Sequence, residues 1–378
     1  MKIAVCLYKY FPFGGLARDF LNIMTICRDR GYEIDVYVLE WHGDIPEGFN
    51  VHVISVSAWT NHGKVKKFIN QVTPKLQSGQ YDLIFGFNKT PGLDLYYAAD
   101  PCYLDRVKNQ KNYFFYRLGQ RFQFYAQCER AVFGLDSQTV SLMISDVQRD
   151  LFKLNYATPD ERLLLLPPGI SMDRKRPKNW SEIRKKTRAT LDIKENEFAL
   201  LMVGTAFNTK GVDRSISAVA ALPEKQRANS KLFIAGDGDL KSYMEQAKKL
   251  GVETHIEFLG GRKDIPELLL AADLLLHPAR KENTGTVILE AMVAGLPVIV
   301  SQVCGYAKHV SKSKAGIVVS APFKSQEFEQ NLANMLQTEK LQQWSDNGLK
   351  YAETEDLYSM PEKAADIIEQ QLQLKHAK

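Results

Sequence analysis

Two glutamates, Glu282 and Glu290, stand eight residues apart in the stretch LLLHPARKENTGTVILEAMVAGLPVIV, residues 274–300, with a glycine between them. A carboxylate accepts charge-assisted hydrogen bonds from vicinal hydroxyls, so two of them suit a ligand with two hydroxyl-bearing ends. Eight residues make slightly more than two helical turns. With a helix starting at Gly285, one glutamate precedes the helix and the other rides on it, along the same side. The amides of residues 284–286 at that start can hold a phosphate between the two ends. The arrangement fits a nucleotide sugar: one glutamate for the ribose, one for the hexose, the helix dipole for the diphosphate. A plainer reading stands beside it, with Glu282 as a favourable charge at a helix start and Glu290 as a surface residue. The AGLPVIV that follows supplies the next buried strand of a packed βαβ unit on either reading.

Two more loops carry residues of the same kind. FPFGGLARD, residues 11–19, puts Gly14 and Gly15 between a first apolar run and a helical pattern. Glycines at such a junction let backbone amides approach an anion; a tight strand–helix turn would use them too. The spacing is not GxGxxG, so no dinucleotide fingerprint is present. VGTAFNTKGVD, residues 203–213, ends a strand at Gly204 and sets Lys210 just before the next helix, where a compact ammonium can reach a phosphate.

The elements that position these loops alternate. KIAVCLY, EIDVYVL, VHVISV, YDLIFGF, TVSLMIS and RLLLLPPG read as strands separated by helical runs such as RDFLNIMTICRDRG. The same grammar restarts at FALLMVGT and continues through KLFIAGDG, HIEFLGG, DLLLHPA and LPVIVSQV. Continuous apolar strands between helices predict parallel sheets covered on both faces, hence two doubly wound α/β domains in succession. A length of 378 residues fits two domains, and 45% apolar with 25% charged residues is ordinary for a folded globular chain. No apolar run is long enough to span a bilayer, and the first residues lack the long apolar region of a signal peptide. The five cysteines are scattered without a CxxC pair, which predicts reduced thiols in a cytoplasmic protein and no zinc site.

The pattern E-x7-E followed by AMVAGLPVIVS resembles the retaining, nucleotide-sugar-dependent glycosyltransferases of family 4, which have the GT-B fold. CLYKYFPFGGL, GFNKTPGLDLYYAADPCY, LLPPGI, KGVDRSI, VCGYA and DLYSMPEKAADII are similar, nearly end to end, to the lipopolysaccharide core heptose glucosyltransferases. The resemblance implies two Rossmann-like domains facing across a cleft. Residues 1–168 would form an acceptor-binding domain against which a C-terminal helix, 358–378, packs back, and residues 169–357 a nucleotide-sugar-binding domain. It implies a retaining transfer of glucose from UDP-glucose, with an α-1,3 linkage, to the second heptose of the lipid-linked inner core. By the same resemblance Gly14 and Gly15 lie against the donor diphosphate, Asp19 faces the reacting sugar, and Asp100 orients the acceptor hydroxyl or takes its proton. Arg174, Lys210 and Arg262 would surround the nucleotide and its phosphates; Glu282 would hold hexose hydroxyls and Glu290 the ribose, with Asn283, Thr284, Gly285 and Thr286 forming the loop between. No cofactor or metal is expected, the UDP-sugar being a co-substrate. Two departures touch the donor. Thr209 stands where the family pattern has an arginine before the KGVD lysine, and Asn283 and Thr284 replace smaller residues. Another UDP-hexose such as a hexosamine, or a non-catalytic sugar-nucleotide or lipid-binding module, are therefore the alternatives.

Residues 103–132 hold six Lys/Arg against two acids, and eight Phe/Tyr. Phe114, Leu118, Phe122 and Tyr125 fall at helical spacing, with Arg117 and Arg121 on a neighbouring face. A basic, aromatic-rich amphipathic helix predicts reversible docking on an anionic membrane surface, through Arg106, Lys108, Lys111, Arg117 and Arg121. A domain helix with an aromatic core face is the other reading. No nucleic-acid motif accompanies the patch, and a net charge of +5 is modest, so a nucleic-acid partner is not expected. Peripheral association with the inner membrane from the cytoplasmic side is the location this implies.

Overall fold

The computed structural model describes residues 1–12, 14–108, 112–337 and 339–377. The chain divides into two compact units. The first comprises residues 1–169 and 358–378, the second residues 170–357.

The N-terminal unit is built on a seven-stranded, all-parallel sheet. Its strands are β1 (Lys2–Tyr10), β2 (Glu33–Trp41), β3 (Phe49–Val53), β4 (Leu83–Gly86), β5 (Leu95–Ala98), β6 (Val140–Met143) and β7 (Leu163–Leu165), in spatial order β3-β2-β1-β4-β5-β6-β7. The second unit has six parallel strands: β8 (Phe198–Val203), β9 (Ser230–Ala235), β10 (Ile256–Gly260), β11 (Leu274–His277), β12 (Val298–Ser301) and β13 (Gly316–Val319), in order β10-β9-β8-β11-β12-β13. Both sheets are doubly wound, as the alternating pattern predicts. In each, the order reverses beside the first strand, between β1 and β4 and between β8 and β11, and ligands of such sheets bind outside the strand ends at that reversal. The loops after β8 and β11 are the ones that carry Lys210 and Glu282.

β5 and β13 are absent from the strands read off the sequence. Both are four residues long, and the two tyrosines of LYYA are buried in the sheet. The helix Gly15–Asp29 buries Ala17, Phe20, Ile23, Met24 and Cys27 against β1 and β2. The C-terminal helix Met360–His376 buries Met360, Ala364, Ala365, Ile368 and Leu372 in that same core. Arg30 adds ion pairs to Asp366 at 2.7 Å and Glu369 at 3.1 Å, so the chain's last helix is part of the N-terminal unit.

The basic aromatic stretch is not the single amphipathic helix its spacing suggests. It folds as Tyr103–Lys108, Tyr113–Tyr116 and Gln120–Phe133, and Gly119, with extended backbone, caps the last of these. Phe114 and Leu118 therefore do not share a helix with Phe122 and Tyr125. The apolar side chains split accordingly: Phe114, Phe115 and Leu118 are 61%, 75% and 62% exposed, whereas Phe122 and Tyr125 pack tilted against the Tyr103 ring.

Glu129, fully buried on the last of these helices, holds the corner together. Its carboxylate accepts from the backbone amides of Tyr103 and Leu104 at the start of one helix, from Tyr156 Oη at 3.2 Å and from Lys89 Nζ at 3.0 Å. Lys89 also donates to the Pro101 carbonyl at 2.9 Å, so loop, helix start and helix meet on one buried ion pair. Replacing Glu129 by Ala leaves a buried ammonium without its counter-charge. The expected loss is about 3–5 kcal/mol in the stability of the N-terminal unit. Urea unfolding followed by circular dichroism measures it, and an unchanged midpoint contradicts this description of the corner.

Candidate active site

β8 and β11 lie side by side in register, Leu274 opposite Leu200 and Leu275 opposite Leu201, so the loops that leave their carboxyl ends are neighbours. The β8 loop forms one turn of helix, Phe207–Lys210, and passes through Gly211. Gly211 has φ +77, and a Cβ there would stand 2.2 Å from the Pro278 carbonyl oxygen. Only glycine permits the two loops to cross so closely. Several bonds then lock the crossing. The Arg280 amide donates to the Thr209 carbonyl at 2.8 Å, and Arg214 donates to the Pro278 carbonyl at 2.9 Å. The Arg280 guanidinium makes a two-pronged ion pair with Asp213 at 2.7 and 2.6 Å and also reaches the Asn208 carbonyl.

The crossing brings Lys210 onto Glu282. The ammonium donates directly to Glu282 Oε2, and the same oxygen lies 3.2 Å from His277 Nε2. His277, the last residue of β11, is fully buried, and burial holds its pKa below the ordinary histidine value. It is thus neutral, donates through Nε2, and fixes the orientation of the carboxylate. Burial alone would raise the Glu282 pKa. The hydrogen bond from His277 and the Lys210 charge outweigh it and lower the group to about 2. Glu282 is therefore a carboxylate at any physiological pH. Stability from this contact is fully present above the ordinary glutamate value of 4.5 and is lost only as the pH falls toward 2.

Glu282 leads into the helix Thr286–Ala294, capped by Gly285 at φ +85. The start predicted at Gly285 is where the structure has it. The cap supplies no side-chain hydrogen bond, and the first turn contains no acidic residue, so the helix start keeps its positive end for an incoming anion. The Tyr306 amide donates to the Thr284 carbonyl at 2.8 Å and steadies the Asn283–Thr284 turn. Every residue of this helix from Val287 to Ala294 is buried, including Glu290 at 6% exposure. The surface role for Glu290 is thereby overturned. The Arg174 Nε lies 3.6 Å from Glu290 Oε1, bringing a residue of the short turn Met172–Arg174 to the middle of the helix.

Of the residues drawn from the sequence, Lys210 is thus brought onto Glu282 and Arg174 to Glu290. Arg262 is placed differently. It follows β10, two strands from β8 across the sheet, and its guanidinium is paired with Asp264 at 2.8 and 2.5 Å. His277 and the Arg280–Asp213 clamp were not among the residues singled out from the sequence. The signal available was HPAR directly after an apolar strand, which marks a strand end but not what the side chains meet.

In the N-terminal unit, Gly14 caps the helix Gly15–Asp29, and a Cβ on Gly15 would meet open space. At Gly14 a Cβ would stand 2.7 Å from the tip of the Phe11 ring, a side chain that is itself half exposed. Neither glycine has positive φ, so close approach rather than backbone shape is what they offer. Asp19 is bonded by Tyr97 Oη at 2.8 Å and by the Arg18 guanidinium at 3.2 Å. Burial raises its pKa despite these partners. Asp100, beyond β5, is exposed and lines a cavity of about 270 Å3 together with Lys89, Arg106 and Arg121. A second cavity of about 570 Å3 opens beside it over the ends of β1 and β2, lined by Lys9, Glu40, Asn61, Lys64 and Asn88 among others. Of the other basic residues, Lys108 donates to Asn155 Oδ1 at 2.7 Å and Arg117 lies 5.0 Å from the Phe114 ring centre. Lys111 lies outside the described residues.

Residues 183–351 match the model of the family described as glycosyl transferases group 1. The chain is 45% identical to the lipopolysaccharide glucosyltransferase WaaG of Escherichia coli (strain K12) over 97% of its own length and 98% of that protein's. It superposes on the crystal structure of WaaG, a glycosyltransferase involved in lipopolysaccharide biosynthesis, with a TM-score of 0.91, covering 97% of this chain and 99% of the other. The Anabaena protein HepE, solved with UDP and glucose, shares the fold at a TM-score of 0.75 and 20% identity, over 98% and 99% of the two chains. A sugar-transferring enzyme with the GT-B fold, this chain belongs to the WaaG family of group 1 glycosyltransferases.

Proposed function

We propose that the protein transfers glucose from UDP-glucose to the second heptose of the lipopolysaccharide inner core, with retention at the anomeric carbon and an α-1,3 linkage. The observation that carries the reading is the convergence of Lys210, Glu282 and the open helix start at Gly285 on one spot. The name of the relative from Escherichia coli supports glucose and lipopolysaccharide as substrate classes.

Breaking the anomeric bond leaves about one extra negative charge on the nucleotide diphosphate, and a group bound more tightly after that charge develops lowers the barrier. The amides of residues 284–286 and the Lys210 ammonium supply fixed positive charge there without rearrangement. Glu282, kept ionised and oriented by His277, accepts from hexose hydroxyls and holds the sugar over its leaving group. Glu290 accepts from the ribose hydroxyls, with Arg174 beside it. In the N-terminal unit the amides around Gly14 and Gly15 approach the diphosphate, Asp19 faces the reacting sugar, and Asp100 orients the acceptor hydroxyl. Arg262 gives up a paired position on Asp264 if it joins the nucleotide. No metal enters this scheme. Thr209 and the ENTG turn are where a different UDP-hexose would be selected.

The exposed Phe114, Phe115 and Leu118, next to Arg117, fit the edge of an anionic membrane. Among the described residues no helix is long and apolar enough to cross one. Docking on the cytoplasmic face of the inner membrane would bring the lipid-linked acceptor to the enzyme.

Transfer assays with purified inner-core acceptor and a panel of UDP-sugars test the reading. UDP-glucose is expected to be the best donor and the product to be the α-anomer. Lys210→Ala is expected to lower kcat by about 100- to 1,000-fold, the typical effect of removing one preorganised positive group. Glu290→Gln should act on donor KM, by roughly 10- to 100-fold, as loss of a charged hydrogen-bond acceptor does. UDP-glucose binding without turnover in the wild type would favour the non-catalytic module, and a better rate with a UDP-hexosamine would favour the other donor. Sedimentation with vesicles should require anionic lipid; equal binding to neutral vesicles contradicts the docking role.

A further inference from the structure

The smaller cavity of the N-terminal unit holds more positive charge than the fold needs. Of its three cations, Lys89 is neutralised by Glu129 and bonded to the Pro101 carbonyl. Arg106 and Arg121 project into the cavity from two different helices, Tyr103–Lys108 and Gln120–Phe133, and both are exposed. Neither makes an ion pair among the described residues, whereas Arg30, Arg130 and Arg262, also exposed, do. The Arg106 guanidinium stands 5.2 Å from the Tyr103 ring centre, a cation–π contact that positions it without using its fork of donors. The walls are firm. Tyr103 and Tyr125 pack together, and Glu129 fixes the start of the helix that bears Arg106. The same cavity is also lined by Asp100. At about 270 Å3 it is smaller than the ~300–1,000 Å3 of sites that take drug-sized ligands.

Two free guanidinium forks beside one exposed carboxylate form a site for a ligand that bears both an anionic group and a hydroxyl. Each fork matches the two oxygens of a carboxylate or a phosphate. We propose that this cavity binds an anionic substituent of the acceptor saccharide, a carboxylate or phosphate held by Arg106 and Arg121, and so delivers a neighbouring hydroxyl to Asp100. The inference rests on the proposed inner-core saccharide acceptor and adds that it bears such a charge. It makes the two arginines specificity determinants for that charge rather than contacts to the lipid surface.

The test is binding, not turnover, so it stands apart from the identity of the donor. Isothermal titration of the full chain with the deacylated, water-soluble inner-core oligosaccharide, without vesicles or detergent, compares the wild type with Arg106→Gln/Arg121→Gln. The expected result is at least a roughly 10-fold weaker Kd for the double variant, the size of losing one charged hydrogen bond. Arg106→Lys/Arg121→Lys should recover part of it. The same oligosaccharide with its phosphates removed and its carboxylates reduced to alcohols should bind both proteins equally weakly. Equal affinity of wild type and the double Gln variant for the charged oligosaccharide overturns the proposal, as does failure of the wild type to bind it at millimolar concentration. Loss of binding to anionic vesicles with unchanged oligosaccharide affinity assigns the arginines to a lipid headgroup, and also overturns it. Arginine-dependent binding together with absent glucose transfer sustains this subsite and sinks the proposed reaction instead.

Discussion

A lysine and a glutamate from two crossing loops share one salt bridge, and this end of the second unit's sheet is organised around it. Lys210 comes from the end of β8 and Glu282 from the loop beyond β11, strands that are adjacent because the sheet order reverses there. The crossing is tight enough to demand glycine at position 211, and it is locked by Arg280 on Asp213. Each charge alone in that half-buried place would carry a desolvation cost; together they offset it, and the neutral imidazole of His277 settles the geometry. An incoming diphosphate would meet a cation already in position. The helix that starts four residues past Glu282 adds its own positive end.

The N-terminal unit solves a related problem by different means. Its loops also leave the carboxyl ends of parallel strands, but the corner around Asp100 is set by a fully buried carboxylate rather than a part-buried one. Glu129 collects two amides, a hydroxyl and an ammonium, and thereby defines where the helix bearing Arg106 begins. With Lys89 neutralised inside, the charge left facing solvent is that of the arginines. The aromatic residues of this stretch divide between wall and surface: Tyr103, Phe122 and Tyr125 pack inward, and Phe114, Phe115 and Leu118 remain uncovered.

Much of this was legible in the sequence, for reasons that can be stated. Long apolar strands such as β1 and β8 are buried on both faces and announce themselves as continuous runs; β5, LYYA, and β13, GIVV, do not. Glu282 and Glu290 were found because spacing along one chain segment is visible in one dimension. His277 was not, since a histidine closing an apolar strand looks the same whether it fills the core or orients a carboxylate. Glu129 read as one of two acids in a basic stretch, although its partners are a lysine 40 residues earlier and amides 26 residues away. The single helix expected over Phe114–Tyr125 failed because Gly119 breaks the chain's helix where the spacing of apolar residues runs on. Contacts between distant segments decide these cases, and no local pattern encodes them.

The central claim is that one diphosphate is held at the meeting point of the β8 and β11 loops. A crystal of the protein soaked with UDP tests it most directly. The account predicts phosphate oxygens within roughly 3 Å of Lys210 Nζ or of the amides at the start of the Thr286–Ala294 helix, with the ribose hydroxyls on Glu290. A well-ordered UDP bound elsewhere on the chain, with Lys210 and Glu290 untouched, would contradict it.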